Sequence, residues 1–441
     1  MRNDKHVPAG AAATVLLSSD RPALAEQYDV VLLDLDGVIY TGQAAVPGAV
    51  RALAKAREAG LRLAFVTNNA SRSPSAIAAH LSRLGVPASA SDVVSSAQAA
   101  ATLIAGRVPP GSAVLVAGGI GLRLALRACG LRPVSTAADR PVAVVQGYAP
   151  DLSYGLLAEA ALAVRGGALF VAANADLTLP SARGLQPGNG SLVQVIIAAT
   201  GTQPLVAGKP EPPLHAEAMA RTGAQRPLVV GDRLDTDIEG AVRGGADSLL
   251  VLTGVSGPAD VVLAPPQRRP TYLAADLRGL LEPQPVIGPV RSQNSVAGPI
   301  GGASSGAVGD RLAGTGRGSA GSGDGPAGAA GGPAEEAEFR CGGWTARRRP
   351  GDEPLELTGT GVPVDGLRAL CAAAWSAGQV TAEMTESALR TLGLGAPGRP
   401  SGASDLARAA DAGRGAPDLP LTLATEPADD QPLVTATSGG R

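Results

Sequence analysis

The stretch VVLLDLDGVIYTG, running from Val30 to Gly42, decides how the rest of the chain is read. Val30 to Leu33 spell a short buried strand, and the chain then breaks into Asp34-Leu35-Asp36-Gly37. Side chains at i and i+2 on an extended backbone share a face, so Asp34 and Asp36 point the same way. Two like charges held together repel, and each costs desolvation. A fold keeps such a pair only with a counter-charge. At the carboxyl end of a parallel strand the pair lies where open α/β sheets bind ligands.

Outward from this strand, apolar runs recur at 61–67, 112–118, 141–148, 168–174, 227–232 and 248–254. Between them lie Ala/Leu/Arg-rich segments such as PGAVRALAKAREAG (47–60), which read as helices ending in Gly. That alternation predicts an α/β fold with a doubly wound parallel sheet. Composition changes after about Pro285. Residues 292–336 are Gly/Ala/Ser/Pro-rich without periodicity and read as a disordered linker. Order is expected to return in a small α+β unit. FRCGGWTARRRPGDEPLELTG (339–359) would hold two strands, and GLRALCAAAWSAG (366–378) a helix. A second helix would start at Thr381 as N-cap. The expected division is an N-terminal extension over 1–27 and a core over 28–107 and 204–285. An inserted domain would span 108–203, a linker 286–337, a C-terminal unit 338–395 and a disordered tail 396–441.

The 37 Lys+Arg and 39 Asp+Glu nearly balance, and no basic stripe calls for nucleic acid. No run approaches the ~18 apolar residues that span a bilayer. Cys129, Cys341 and Cys371 fit no metal or redox spacing. The reading is a soluble, cytoplasmic protein without a membrane partner. Aromatics are only 2 % of the chain, so its cores must be built from small aliphatics.

Three further segments carry chemistry. In FVTNNASRS (65–73) a strand ends at Thr67, and Asn68 and Asn69 follow. Hydroxyl and amide groups there suit phosphate oxygens, and equally suit a capped turn. In VAGKPEP (206–212) Lys209 sits between Gly and Pro, where a turn can present an ammonium to an anion; a surface lysine has the same letters. In PLVVGDRLDTDIEGA (227–241) another strand ends at Asp232, with Asp235 and Asp237 in the turn beyond. Carboxylates there can hold a hard cation such as Mg2+, or cap a helix.

Taken together and in this order, DLDGVIY, TNN, GKP and GDRLDTDI resemble motifs I to IV of the haloacid dehalogenase-like (HAD) hydrolase superfamily over about residues 28–285. The resemblance implies a phosphatase. Asp34 would be the nucleophile that forms an aspartyl-phosphate, and Asp36 the general acid and base. Mg2+ would be held by Asp34, the Asp36 main-chain carbonyl and Asp232, supported by Asp237. Thr67 and Lys209, with Asn68 and Asn69, would hold the phosphoryl group. Asp235 reads as a supporting or surface acid.

Spacing selects a branch. Asp34 and Thr67 are 33 residues apart, while Thr67 and Lys209 are 142 apart, so the extra domain must lie in the second gap. That resembles subfamily IIA, whose α/β cap of the C2 type sits there. The subfamily's cap signature recurs as Asn174-Ala175-Asp176, Pro180 and PGNG (187–190), with Ala175 and Asn189 as departures. Asn174 and Asp176 are candidates for reading the leaving group. No His falls in the cap, which counts against pyridoxal phosphate. The C-terminal stretch resembles a reduced acetyltransferase-like (GNAT) unit of actinobacterial members similar to glycerol-3-phosphate phosphatase, without a recognisable acyl-CoA loop. The resemblance thus implies a small phosphorylated metabolite as substrate: glycerol 3-phosphate, 2-phosphoglycolate or a sugar phosphate. It also implies a homodimer through the cap. The alternatives are a pyridoxal-phosphate or nucleotide phosphatase, or a non-catalytic phosphometabolite sensor; the intact Asp34, Asp36, Lys209 and Asp232 speak against the last.

Overall fold

The structure is a computed structural model, and it describes residues 22–181, 183–285, 287–290, 336–376 and 379–394. Residues 291–335 of the expected linker over 286–337 and the tail from 396 lie outside the described residues, as does the N-terminal extension up to residue 21.

Six parallel strands form the core sheet in the order Tyr272–Ala274, Asp247–Val251, Pro227–Gly231, Val30–Leu33, Arg62–Thr67, Val93–Ser95. The expected doubly wound parallel sheet is therefore present. Val30–Leu33 is buried at every position because both faces are covered. Val31, Leu33, Leu63 and Phe65 pack on one face with the helices Ala49–Glu58 and Pro74–Arg83. Val30, Leu32, Ala64 and Val66 pack on the other, with Ser96–Ala105 and Pro212–Thr222. Each wholly buried aliphatic contributes about 1.5–3 kcal/mol, which offsets the scarcity of aromatics.

The insertion forms its own five-stranded parallel sheet, ordered Leu205–Val206, Leu169–Ala172, Ala143–Gln146, Ala113–Ala117, Arg132–Val134. Leu205–Val206 pairs with Val171 and Ala172, so the insertion extends past the expected boundary at 203. A hairpin, Thr178–Ser181 with Gly184–Pro187, projects from this domain. The insertion is not loosely tethered. Val114, Val116, Leu122 and Leu126 share one apolar cluster with the core residues Val30 and Leu32. Gly121 lies so close to the carbonyls of Ala70 and Arg72 that a Cβ there would collide with both.

At the amino end, Leu24–Gln27 is a short helix whose Leu24 and Ala25 are buried in the core cluster. Residues 22–27 thus belong to the core, not to the expected extension. The C-terminal unit corrects the sequence reading in two respects. It holds a four-stranded antiparallel sheet, Gly288–Pro289, Ala337–Cys341, Trp344–Arg348 and Glu356–Gly359, where two strands and a linker over 286–337 were expected. Its helices are Pro363–Trp375 and Ala382–Thr391; Thr381 stands at the N-cap of the second, but its side chain makes no capping bond. This unit and the core share one cluster, in which Leu234, Ile238, Val261 and Leu273 meet Leu367, Leu370 and Leu389. The Trp375 indole donates to the Val262 carbonyl at 3.1 Å, with the Arg269 guanidinium 5.3 Å over its ring. No described helix is long and apolar enough to cross a membrane.

Candidate active site

The three central strands end side by side, and their carboxyl ends deliver the residues in question. Asp34 follows Val30–Leu33, its amide donating to the Val230 carbonyl at 2.9 Å. Thr67 closes Arg62–Thr67, and Asp232 follows Pro227–Gly231. Beyond Asp232 the chain makes a wide turn over Leu234–Ile238, with the amides of Asp237 and Ile238 both donating to the Arg233 carbonyl. That turn sends Leu234 and Ile238 into the apolar cluster and brings Asp237 back over the strand ends.

Lys209 is at the centre. Its ammonium, 3 % exposed, lies 2.5 Å from Asp34 Oδ1, 2.6 Å from Asp237 Oδ1 and 3.2 Å from the Val66 carbonyl. Burial works against its charge, but the two carboxylates more than compensate and hold its pKa above the usual lysine value. Asp34 is half-buried and crowded. Burial pushes its carboxyl well up, the neighbouring Asp237 and Asp232 add to this, and Lys209 opposes it. Asp232 is buried; burial and Asp237 raise it to about 7, against the Val255 amide that donates to its Oδ2 at 2.7 Å.

Ligand atoms of Asp34, Asp232 and Asp237 lie within 4.8 Å of one another. Three carboxylates against one ammonium leave an excess of negative charge in a buried place, which a divalent cation would neutralise. Asp232 Oδ1 is buried without a hydrogen-bond partner. Glycine backbone packs against the other side of this carboxylate: a Cβ on Gly37 (φ +79°) or on Gly254 would run into Asp232 Oδ2. An all-oxygen donor set with one orphaned oxygen fits a hard cation such as Mg2+.

Asp36 is exposed, in a tight turn where the Gly37 amide donates to the Tyr40 carbonyl at 2.8 Å. The protein around it raises its carboxyl pKa, while Arg72 and Lys209 pull the other way. Thr67 is buried, its Oγ1 accepting from the Asn69 amide at 3.1 Å. Asn69 Oδ1 is engaged in its own turn, accepting from the amides of Ser71 and Arg72.

Asn68 is tied up differently from the expectation. Its Oδ1 accepts from the Lys209 amide at 2.8 Å, and its Nδ2 donates to the Lys209 carbonyl and to Asp176 Oδ2, both at 3.1 Å. Asn174 is occupied too: Nδ2 donates to the Asn68 carbonyl at 2.7 Å, and Oδ1 accepts from the Asp176 amide. The unusual Asn189 has a structural task. Its Nδ2 donates to the Asn174 carbonyl at 2.7 Å while its Oδ1 accepts from Gln146. Gly190 is required because a Cβ would meet the Ala175 carbonyl. Asp235 forms a two-pronged pair with Arg233, at 3.1 and 2.9 Å. Sequence reading passed over Arg233, Arg72 and Gln146. An arginine inside GDRLDTDI was the available signal for the first; the other two carry none that letters alone disclose.

The profile of haloacid dehalogenase-like hydrolases matches residues 31–132, a HAD-hydrolase-like profile matches 206–280, and a GCN5-related N-acetyltransferase-like profile matches 341–394. The D-glycerol 3-phosphate phosphatase of Mycobacterium tuberculosis is 54 % identical over 258 residues, 58 % of this chain and 72 % of that protein. An acid sugar phosphatase of Staphylococcus saprophyticus is 36 % identical over 259 residues, 58 % of this chain and 98 % of that one. A crystal structure of a Mycobacterium tuberculosis glycerol phosphate phosphatase in complex with magnesium superposes with a TM-score of 0.66 at 40 % identity, covering 85 % of this chain and all of the other.

Proposed function

Because the chain belongs to the haloacid dehalogenase-like hydrolase family, we propose that it cleaves glycerol 3-phosphate, with Asp34 as nucleophile and Asp36 as acid and base. At the coarser level it is a phosphomonoester hydrolase acting on small phosphate esters, and its cofactor is Mg2+. The observation that carries the reading is the Lys209 ammonium paired with Asp34 and Asp237 beside the orphaned Asp232 oxygen.

Asp34, Asp232 and Asp237, with the Asp36 main-chain carbonyl, would hold the ion. Bound there, Mg2+ supplies positive charge that lets the Asp34 carboxylate and an anionic phosphate share the site. An Asp34 carboxylate oxygen attacks phosphorus as the bond from phosphorus to the ester oxygen breaks. Asp36, in its protonated form, gives its proton to that departing oxygen. The Asp36 carboxylate then takes a proton from water as the water oxygen attacks the aspartyl-phosphate. Asp34 and inorganic phosphate are released. Lys209 holds Asp34 in place and balances the phosphoryl charge, and Thr67 offers its hydroxyl to a phosphoryl oxygen.

The test is phosphate release from a panel of phosphomonoesters with Mg2+, comparing the wild-type chain with Asp34→Asn. Preference for glycerol 3-phosphate and loss in the variant are expected. Equal turnover by the variant would sink the aspartyl-phosphate route, and preference for another ester would replace the substrate. We also propose a homodimer through the cap, where Tyr154 and Leu162 are exposed on one helix; light scattering of Leu162→Glu against wild type decides it.

A further inference from the structure

Asp176 and Asn68 were both expected to touch substrate, yet the Asn68 amide and one Asp176 oxygen are bonded to protein. Asp176 belongs to the inserted domain, on the loop between Leu169–Ala172 and the hairpin at Thr178–Ser181. One of its oxygens accepts from Asn68 Nδ2 at 3.1 Å. The other lies 4.0 Å from the Arg233 guanidinium. Arg233 immediately follows Asp232, is braced by Asp235, and its own amide donates to Asp237 Oδ2 at 3.2 Å. Asn68 clasps the Lys209 backbone on both sides, at its amide and at its carbonyl. A continuous line of polar contacts therefore runs from Asp235 through Arg233, Asp176 and Asn68 to Lys209, crossing from core to inserted domain and back.

We propose that Asp176 is a latch: it pins the inserted domain to the turn after Asp232 and to Asn68, and so sets the position of Lys209 against Asp34. Asp176, Asn68 and Arg233 are positioning residues, not readers of the leaving group. The chemistry behind this is directional. Both N–H donors of the Asn68 amide and one lone pair of its oxygen are used on protein, which leaves it no donor for a ligand. The Asp176 carboxylate is held by one hydrogen bond from the Asn68 amide and by the attraction of a guanidinium 4.0 Å away. Misplacing a catalytic ammonium by about 1 Å can lower turnover by about 100-fold. Asp235, which no catalytic role explains, is accounted for as the brace that aims Arg233.

The inference rests on the phosphatase reading, and its test separates the two. Full-length protein with Mg2+ is assayed on glycerol 3-phosphate and on 4-nitrophenyl phosphate, whose leaving groups share no hydroxyl pattern. Asp176→Ala and Arg233→Ala are expected to lower kcat on both esters by a similar factor, about tenfold or more, with KM changed little. The double variant should fall no further than the weaker single, because both break the same line. Asp176→Asn, which keeps the Asn68 contact and loses the ion pair, should be intermediate. Loss confined to the glycerol ester would make Asp176 a reader of the leaving group, and strictly multiplicative losses would dissolve the latch. Amide hydrogen exchange gives an arm independent of turnover: the Lys209 amide should exchange faster in Asp176→Ala than in wild type. Unchanged exchange there overturns the proposal. If the wild-type chain cleaves neither ester, the functional reading falls and exchange alone decides the latch.

Discussion

Lys209 carries the heaviest electrostatic burden of any residue in the cleft. Replacing it with Met would leave Asp34 and Asp237 facing each other without their shared cation. Breaking a buried pair on one side costs about 3–5 kcal/mol. The expected outcome for Lys209→Met is a large drop in melting temperature without metal, partly restored by millimolar Mg2+, which binds only the folded site. Calorimetry with and without Mg2+ checks it; an equal effect of Mg2+ on variant and wild type would refute the shared-charge account. Asp34→Asn should reduce phosphate release by about 1000-fold or more. Gly254 allows a cheaper probe of the cation. Gly254→Ala would drive a methyl into the Asp232 carboxylate, so Mg2+ affinity by titration calorimetry should fall at least about tenfold.

Among the elements, the helix Pro212–Thr222 makes a pH-dependent contribution. Its His215 is buried against Gly240, and burial, with the Lys209 charge, lowers its pKa to about 4. The folded state therefore keeps it neutral, whereas the unfolded chain protonates it below about 6.5. Stability is complete above that value and declines as pH falls towards 4, by about 2 kcal/mol between pH 7 and pH 5. Urea unfolding of His215→Leu should show a smaller difference between those two pH values than wild type. Elements also mark where the sequence was legible. The long runs at Val30–Leu33, Arg62–Thr67 and Pro227–Gly231 are buried on both faces, and continuous apolar letters disclose them. Val93–Ser95, Tyr272–Ala274 and Arg132–Val134 are three residues long and sit at sheet edges, where too few letters accumulate to show a period. In the site, Asp34, Asp36 and Asp232 were legible because strand ends fix them. The engagement of Asn68 and Asn174 was not, since it depends on a domain arriving from more than a hundred residues away.

For the whole molecule, three lobes share two apolar clusters. One joins core and insertion, and the other joins core and C-terminal unit. Ile238, in the turn that carries Asp237, is fully buried in the second. A chain ending at residue 290 should therefore lose both melting temperature and Mg2+-dependent turnover; a truncated protein as stable and active as the full chain would show the C-terminal unit to be a passenger. Ile238→Ala should cost about 2–4 kcal/mol by the same contacts. The described residues on either side of 291–335 are paired: the Val290 amide donates to the Glu338 carbonyl at 2.8 Å, and Pro289 pairs with Phe339. The chain departs from and rejoins one point of the same sheet. Closing a loop becomes harder only logarithmically with its length. Changing the number of residues between those two anchors is therefore expected to shift the melting temperature little.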